Sequence, residues 1–204
     1  MEKHSIWAIW LVGIGFVTLM TTTKGEVITM KTDTQEVRIT MKGNPVILMG
    51  ELVKTGMAAP DFKVVDATFK SVTLTDYKSK VVLISAVPSL DTGVCSLQTK
   101  RFNEEAITLP TNVVILTISE DLPFAQKRFC ETEKIDRIKV LSDSVWREFG
   151  TKYGIMIKDM GLLTRSIWII DRNGKVAYRQ IVPEITTHPD YDAALKAARK
   201  ISVK

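Results

Sequence analysis

The chain has 204 residues, 45% hydrophobic and 25% charged, the composition of one ordinary globular domain with a sizeable core. Its formal net charge of +5 comes from Lys and Arg interspersed with Asp and Glu, so no nucleic-acid patch is indicated, and neither repeats nor low-complexity tracts appear. The two histidines, His4 and His188, lie far from any cysteine spacing that holds zinc, so metal chemistry is not expected.

Lys3 precedes an apolar run from Ile6 to Met20, followed by Thr21-Thr22-Thr23-Lys24-Gly25. As a helix that run reaches about 22 Å at about 1.5 Å per residue, short of a hydrocarbon core of about 30 Å. Residues 1–25 therefore read as a signal peptide or a hydrophobic N-terminal anchor, which implies export to the periplasm or envelope, or a tether to the inner membrane. There is no Ala-x-Ala cleavage site and no cysteine for lipid attachment. The alternative is translation from Met30 or Met41 and a cytoplasmic protein.

The folded domain is expected over 37–204. Val37–Met41 alternates with period two, and Lys42-Gly43-Asn44-Pro45 turns the chain into Val46–Met49, a β-hairpin. Two short extended pieces follow at Ala59–Val65 and Ser71–Leu74. Lys80–Val87 is a continuous apolar run of strand length, as expected where both faces are covered. From Thr92 to Pro110 the spacing predicts a helix with Val94, Leu97, Phe102, Ala106 and Leu109 on its apolar side. Asn112–Ile118 reads as another strand. Asp121-Leu122-Pro123 then opens a second helix, with Asp121 as N-cap and an apolar face of Leu122, Ala125 and Phe129. Trp146, Phe149 and Tyr153 at helical spacing are expected to pack in the core or an interface. Ser166–Ile170 and Val176–Val182 flank Asp171-Arg172-Asn173-Gly174 as an antiparallel hairpin, and a last helix runs from about Tyr191 to Ile201. This order makes an α/β domain with a mixed central sheet covered on both faces and an N-terminal β-hairpin extension.

The chemistry concentrates in Pro88-Ser89-Leu90-Asp91-Thr92-Gly93-Val94-Cys95. One of only two cysteines lies just beyond a buried strand at a helix start, where free N–H groups and the helix dipole favour an anionic, nucleophilic sulfur. A free cysteine there can also be a small buried hydrophobe. Pro88 and Thr92 argue against that reading: Pro88 can close the turn and shield the thiol, and the Thr92 hydroxyl can both accept and donate a hydrogen bond beside the sulfur. Asp91 reads equally well as a helix-start cap.

The Pro-x-x-x-Thr-x-x-Cys string resembles the peroxiredoxin signature. Together with Asp121–Gln126, Arg128-Phe129-Cys130, Met41–Val46 and Glu184-Ile185-Thr186-Thr187, it is similar to the bacterial thiol peroxidases, the atypical two-cysteine branch, from about Val37 to Ala198. The resemblance implies a thioredoxin-like fold. It also implies Cys95 as the peroxidatic cysteine and Cys130 as its resolving partner, with Arg165 as the active-site arginine beside Thr92 and Pro88. A lone Arg opening a strand is otherwise read as a surface charge. A thiolate alone does not account for fast peroxide reduction; donors that align the O–O bond and stabilise the leaving oxygen are needed, and an Arg fork supplies both.

The implied activity is reduction of hydrogen peroxide and organic hydroperoxides to water and alcohols through a sulfenic acid and an intramolecular disulfide. No metal, haem or flavin cofactor enters it. The implied reductant is thioredoxin, or a thioredoxin-like dithiol if the protein is exported, and the implied assembly is a homodimer. Two rivals stand: a thiol–disulfide oxidoreductase, for which the usual Cys-x-x-Cys pair is absent, and an envelope binding module stapled by a permanent Cys95–Cys130 bridge. The segment Glu184–Tyr191 follows the family apart from His188, with no role assignable from the residues.

Overall fold

The structure, a computed structural model, describes residues 38–203. The leader read over residues 1–25, the alternative start at Met30 and the first hairpin residue Val37 lie outside the described residues. The strands are β1 (Ile39–Met41), β2 (Asn44–Val46), β3 (Leu48–Met49), β4 (Lys63–Val65), β5 (Ser71–Thr73) and β6 (Val81–Ala86). Helix α1 (Gly93–Glu105) leads to β7 (Val113–Ser119), α2 (Pro123–Glu133), β8 (Lys139–Ser142) and α3 (Glu148–Lys152). Strands β9 (Met156–Ile157), β10 (Leu162–Leu163), β11 (Ser166–Ile170) and β12 (Val176–Ile181) precede α4 (Tyr191–Ser202). Among the described residues no helix is long and apolar enough to cross a membrane.

Seven strands form the main sheet in the order β12-β11-β6-β7-β8-β4-β5. β6, β7 and β8 run parallel, and the flanking strands pair antiparallel, giving the mixed sheet expected. The central strand β6 is buried along its whole length, and its period of two divides the core. Val81 and Leu83 face Phe102 of α1, Ala194, Leu195 and Ala198 of α4, and the chain after α2 at Ile135 and Ile138. Val82, Ile84 and Ala86 face Phe62, Phe149, Tyr153 and Trp168 on the other side. There Tyr153 meets Trp168 edge-on at 5.1 Å, and the Trp168 indole N–H donates to Ser166 Oγ.

The N-terminal hairpin is tighter than its sequence implies. Only Lys42 and Gly43 make the turn, at φ +51° and +78°, while Asn44 and Pro45 join β2 opposite Met41 and Thr40. Pro45 is tolerated because this two-stranded sheet has a free edge. A small core of Ile39, Ile157 and Ile185 joins the hairpin to the loop after β12.

Three helix details differ from expectation. α1 buries Cys95, Gln98, Thr99, Phe102 and Asn103, so its inner face is largely polar, and Leu97 is exposed. α2 begins with Leu122 as N-cap and Pro123 in its first turn; Asp121 does not cap it, and Leu122 is exposed. Phe149 and Tyr153 are core residues, but Trp146 points outward under the Lys63 ammonium.

Beyond β7 and β8 the interior contains two acidic side chains, Glu120 and Asp143. Asp143 accepts the backbone N–H groups of Phe149 (3.1 Å) and Gly150 (2.7 Å), so it serves α3 as an anion even though burial raises it above the ordinary carboxylate range. The Glu120 carboxylate has no such donors, and Arg147 Nε stands 3.8 Å away. Burial first, then the charge of Asp143, push Glu120 up to about 8, so Glu120 carries a proton that it donates to Asp143. The unfolded chain releases that proton near pH 4.3 or so. This contribution to stability is therefore complete below about pH 4 and is lost as pH rises from there toward about 8. Glu120→Gln, which keeps the donor without the titration, should flatten the fall in unfolding free energy between pH 5 and 8. Urea titrations of both proteins at several pH values measure it; parallel curves would reject the shared proton.

Candidate active site

The site forms where β6 ends and β11 begins. Because these strands are antiparallel neighbours with Ala86 opposite Ser166, the loop leaving β6 and the residue entering β11 meet although far apart in sequence. Val87 is held to Ile118 by a backbone bond, Pro88 is buried, and the chain turns over Ser89-Leu90-Asp91 into α1. Thr92, not Asp91, is the N-cap residue. The Thr92 side chain does not cap the helix; its hydroxyl lies 2.9 Å from Cys95 Sγ and 3.0 Å from the Ser89 carbonyl, and its one proton goes to either.

Cys95 is the third residue of α1 and has no exposed surface. The sulfur lies one layer down, under the exposed Thr92 and among Val87, Leu90, Phe129 and Val140. Its surroundings are nevertheless not those of an inert thiol, because two donors point at it. The second is Arg165, whose Nη2 lies 3.3 Å from Sγ.

Arg165 is only 2% exposed, so the bland reading of a surface charge does not apply. Its Nε donates to the Ile185 carbonyl at 2.8 Å and its Nη1 to Gln98 Oε1 at 2.7 Å. Among the described residues no carboxylate forms an ion pair with it. A buried cation without a counterion is costly, and the group placed to supply the anion is the Cys95 sulfur. Thr92 and Arg165 are thus both brought to the Cys95 sulfur, and Pro88 is buried at the start of the turn that leads to it.

Two further residues build the site. Gln98 bridges Ser85 of β6, whose hydroxyl it donates to at 2.7 Å, and the Arg165 guanidinium. It stands three positions after Cys95, on the same helix face, a spacing that singles it out once Cys95 is chosen. Asp121 holds the loop: it accepts from Ser89 Oγ and the Leu90 N–H, both at 2.7 Å, and from Ser119 Oγ at 2.8 Å. The bonds from Ser89 and Leu90 span 32 and 31 residues, and a local reading assigns Asp121 to its own helix.

Cys130 lies in the last turn of α2, half-buried, and both cysteines are free thiols. Burial, then the neighbouring Glu131, push its thiol up to about 11. Cys130 packs with the core under α1 and α4, whereas Cys95 sits in a separate small cluster; Phe129 and Val140 border both. The carbonyl of Cys130 accepts the N–H groups of Lys134 and Ile135 at the helix end. Lys100–Glu133 at 2.7 Å and Asn103, which accepts from the Arg137 N–H at 2.8 Å, tie that end to α1.

A cysteine sulfur met by a hydroxyl and a buried guanidinium at the strand end of this sheet fits a thiol-dependent peroxidase of the peroxiredoxin class, and comparison with known proteins bears out that class. Residues 54–195 match the Redoxin family. The chain is 50% identical over 162 residues to the thiol peroxidase of Oceanobacillus iheyensis, across 79% of this chain and 98% of that protein. It is 48% identical over 163 residues to the thiol peroxidase of Bacillus subtilis, across 80% and 97%. A crystal structure of a peroxiredoxin-like protein from Aquifex aeolicus matches with a TM-score of 0.76 at 42% identity, covering 80% of this chain and 96% of that one. The chain belongs to the bacterial thiol peroxidase family.

Proposed function

We propose that Cys95 is the peroxidatic residue, Arg165 and Thr92 align the peroxide, Pro88 shields the sulfur, and Cys130 resolves the oxidised enzyme. The observation that carries this reading is the buried Arg165 fork facing Cys95 Sγ, with no carboxylate partner among the described residues. The Cys95 thiolate attacks one peroxide oxygen, the O–O bond breaks, and the leaving oxygen takes a proton to become water or an alcohol, with Cys95 left as sulfenic acid. The guanidinium supports the charge growing on the leaving oxygen. Arg165→Lys keeps the charge but loses the planar fork, and the second-order rate with hydrogen peroxide should fall by about a hundredfold. Near-normal stopped-flow rates in that variant remove Arg165 from the mechanism.

Resolution joins the two sulfurs and expels the sulfenic oxygen as water. Two cysteines bridge only when their Cα atoms come within about 7 Å, and here each sits in its own helix and its own apolar cluster. We therefore read resolution as requiring local unwinding at Cys95, Cys130 or both. Oxidation itself favours it, since a neutral sulfenic acid leaves the buried guanidinium without an anion. A Cys130 thiol reacting from its folded position would gain rate up to about pH 11. One freed by unwinding regains an ordinary thiol near pH 8.5 or so. The disulfide-forming phase should therefore level off near the lower value, and hydrogen exchange at the two helix ends should rise on oxidation; a rate still climbing above pH 10 or so and unchanged exchange oppose this.

An external dithiol restores both cysteines: thioredoxin, or a thioredoxin-like protein in the envelope if the apolar segment preceding the domain directs export. Lys3 and the run Ile6–Met20 support export or a membrane tether, and four-fifths of this chain accounts for nearly the whole of the relatives. An apolar surface at Phe69, Leu122 and Phe124, with Phe69 and Phe124 rings 5.2 Å apart, supports a homodimer. With a dithiol supplied and peroxide loss followed, Cys95→Ser should be inactive and Cys130→Ser should stall after one turnover until a small thiol rescues it. A Cys95→Ser protein that still consumes peroxide overturns the assignment.

A further inference from the structure

The segment that starts at Glu184 is not used by the chemistry above, yet it supplies the backbone carbonyl that Arg165 leans on. A guanidinium is flat, so fixing the directions of Nε and Nη1 fixes where Nη2 points. Gln98 fixes Nη1 from a helix braced by β6, whereas Nε rests on Ile185, in an irregular turn beyond β12. Something must hold that turn.

We propose that Glu184 is a positioning residue for peroxide reduction: its carboxylate clasps the β1–β2 turn and Thr186, and so holds the Ile185 carbonyl that aims Arg165 at Cys95. Oε2 accepts from Thr40 Oγ1 at 2.8 Å and the Gly43 N–H at 3.0 Å. Oε1 accepts from the N–H groups of Lys42 and Thr186, each at 3.0 Å, and from the Thr186 hydroxyl. Lys42 and Gly43 both lie at positive φ, and consecutive N–H groups in such a turn form a concavity suited to an anion. Two backbone bonds bracket the residue, Thr40 N–H to Pro183 O at 2.7 Å and Ile185 N–H to Thr40 O at 2.9 Å.

The Ile185 side chain completes the coupling. It is buried with Ile39 and Ile157, so the hairpin grips the side chain of the same residue whose carbonyl receives Arg165. Hydrogen bonds, first from the Thr186 hydroxyl and then from the Gly43 N–H, hold the Glu184 carboxyl well below the usual range, and it stays ionised at any working pH. The N-terminal hairpin is on this account part of the catalytic frame. The proposal rests on the role given to Arg165 above.

The test uses the full chain and two reactions of Cys95: oxidation by hydrogen peroxide, which needs the aligned guanidinium, and alkylation by iodoacetamide, which breaks no O–O bond. Glu184→Gln keeps the shape but replaces one acceptor oxygen with a donor. It should lower the ratio of peroxide to alkylation rate by about tenfold while the protein unfolds at nearly the wild-type temperature, and Thr40→Val, which removes one donor, should lower it less. In an Arg165→Lys background Glu184→Gln should change the ratio by no more than about twofold, since both act through one group. Loss of both reactivities in parallel, an unchanged ratio, or losses that multiply in the double variant overturn the proposal. If Arg165→Lys alone leaves the ratio intact, the role of Arg165 fails and this one with it; if only the Glu184 variants are silent, this one fails alone.

Discussion

A buried positive charge organises this protein. Arg165 stands at the entry to β11 beside the end of β6, where it meets a carbonyl, an amide oxygen and a sulfur, and among the described residues no carboxylate pairs with it. Two of those acceptors belong to α1 and the third to the loop after β12, so the guanidinium ties both to the sheet. An uncompensated cation in the interior is unfavourable, and of the three acceptors the sulfur alone belongs to a group that can ionise.

The cysteine turn is anchored from the opposite side by Asp121, which sits between the end of β7 and the helix carrying Cys130. Both sulfurs therefore belong to segments that meet at one carboxylate. The Cys95 turn is bonded through Ser89 and Leu90 to Asp121, just before α2, and the far end of α2 is tied to α1 by Lys100–Glu133 and Asn103. The two helices are thus linked at both ends.

The sequence announces what is local. Pro88, Thr92 and Cys95 occupy one short string, and β6, β7 and β11 are continuous β-branched and apolar runs, so both the turn and the central strands are readable. Strands β9 and β10 have two residues each, and β8 follows no extended apolar run, so nothing in their own residues marks them. The apolar faces assigned to α1 and α2 are wrong at Leu97 and Leu122 for one reason: these helices turn polar groups inward, Gln98 and Asn103 on one and Gln126 on the other, to hold distant segments. Arg165 carries no local signature and is found only through family resemblance. The Ile185 carbonyl that orients it is a main-chain atom and has no signature at all.

Gln98 carries a further consequence. An amide and a carboxylate at this position would both accept from Arg165 Nη1, and their shapes are nearly the same. A carboxylate, however, would neutralise the guanidinium by itself and leave the sulfur a mere bystander to a satisfied ion pair. By contributing oxygen without charge, the glutamine keeps the arginine electrically hungry, and that appetite is what the cysteine alone is left to feed.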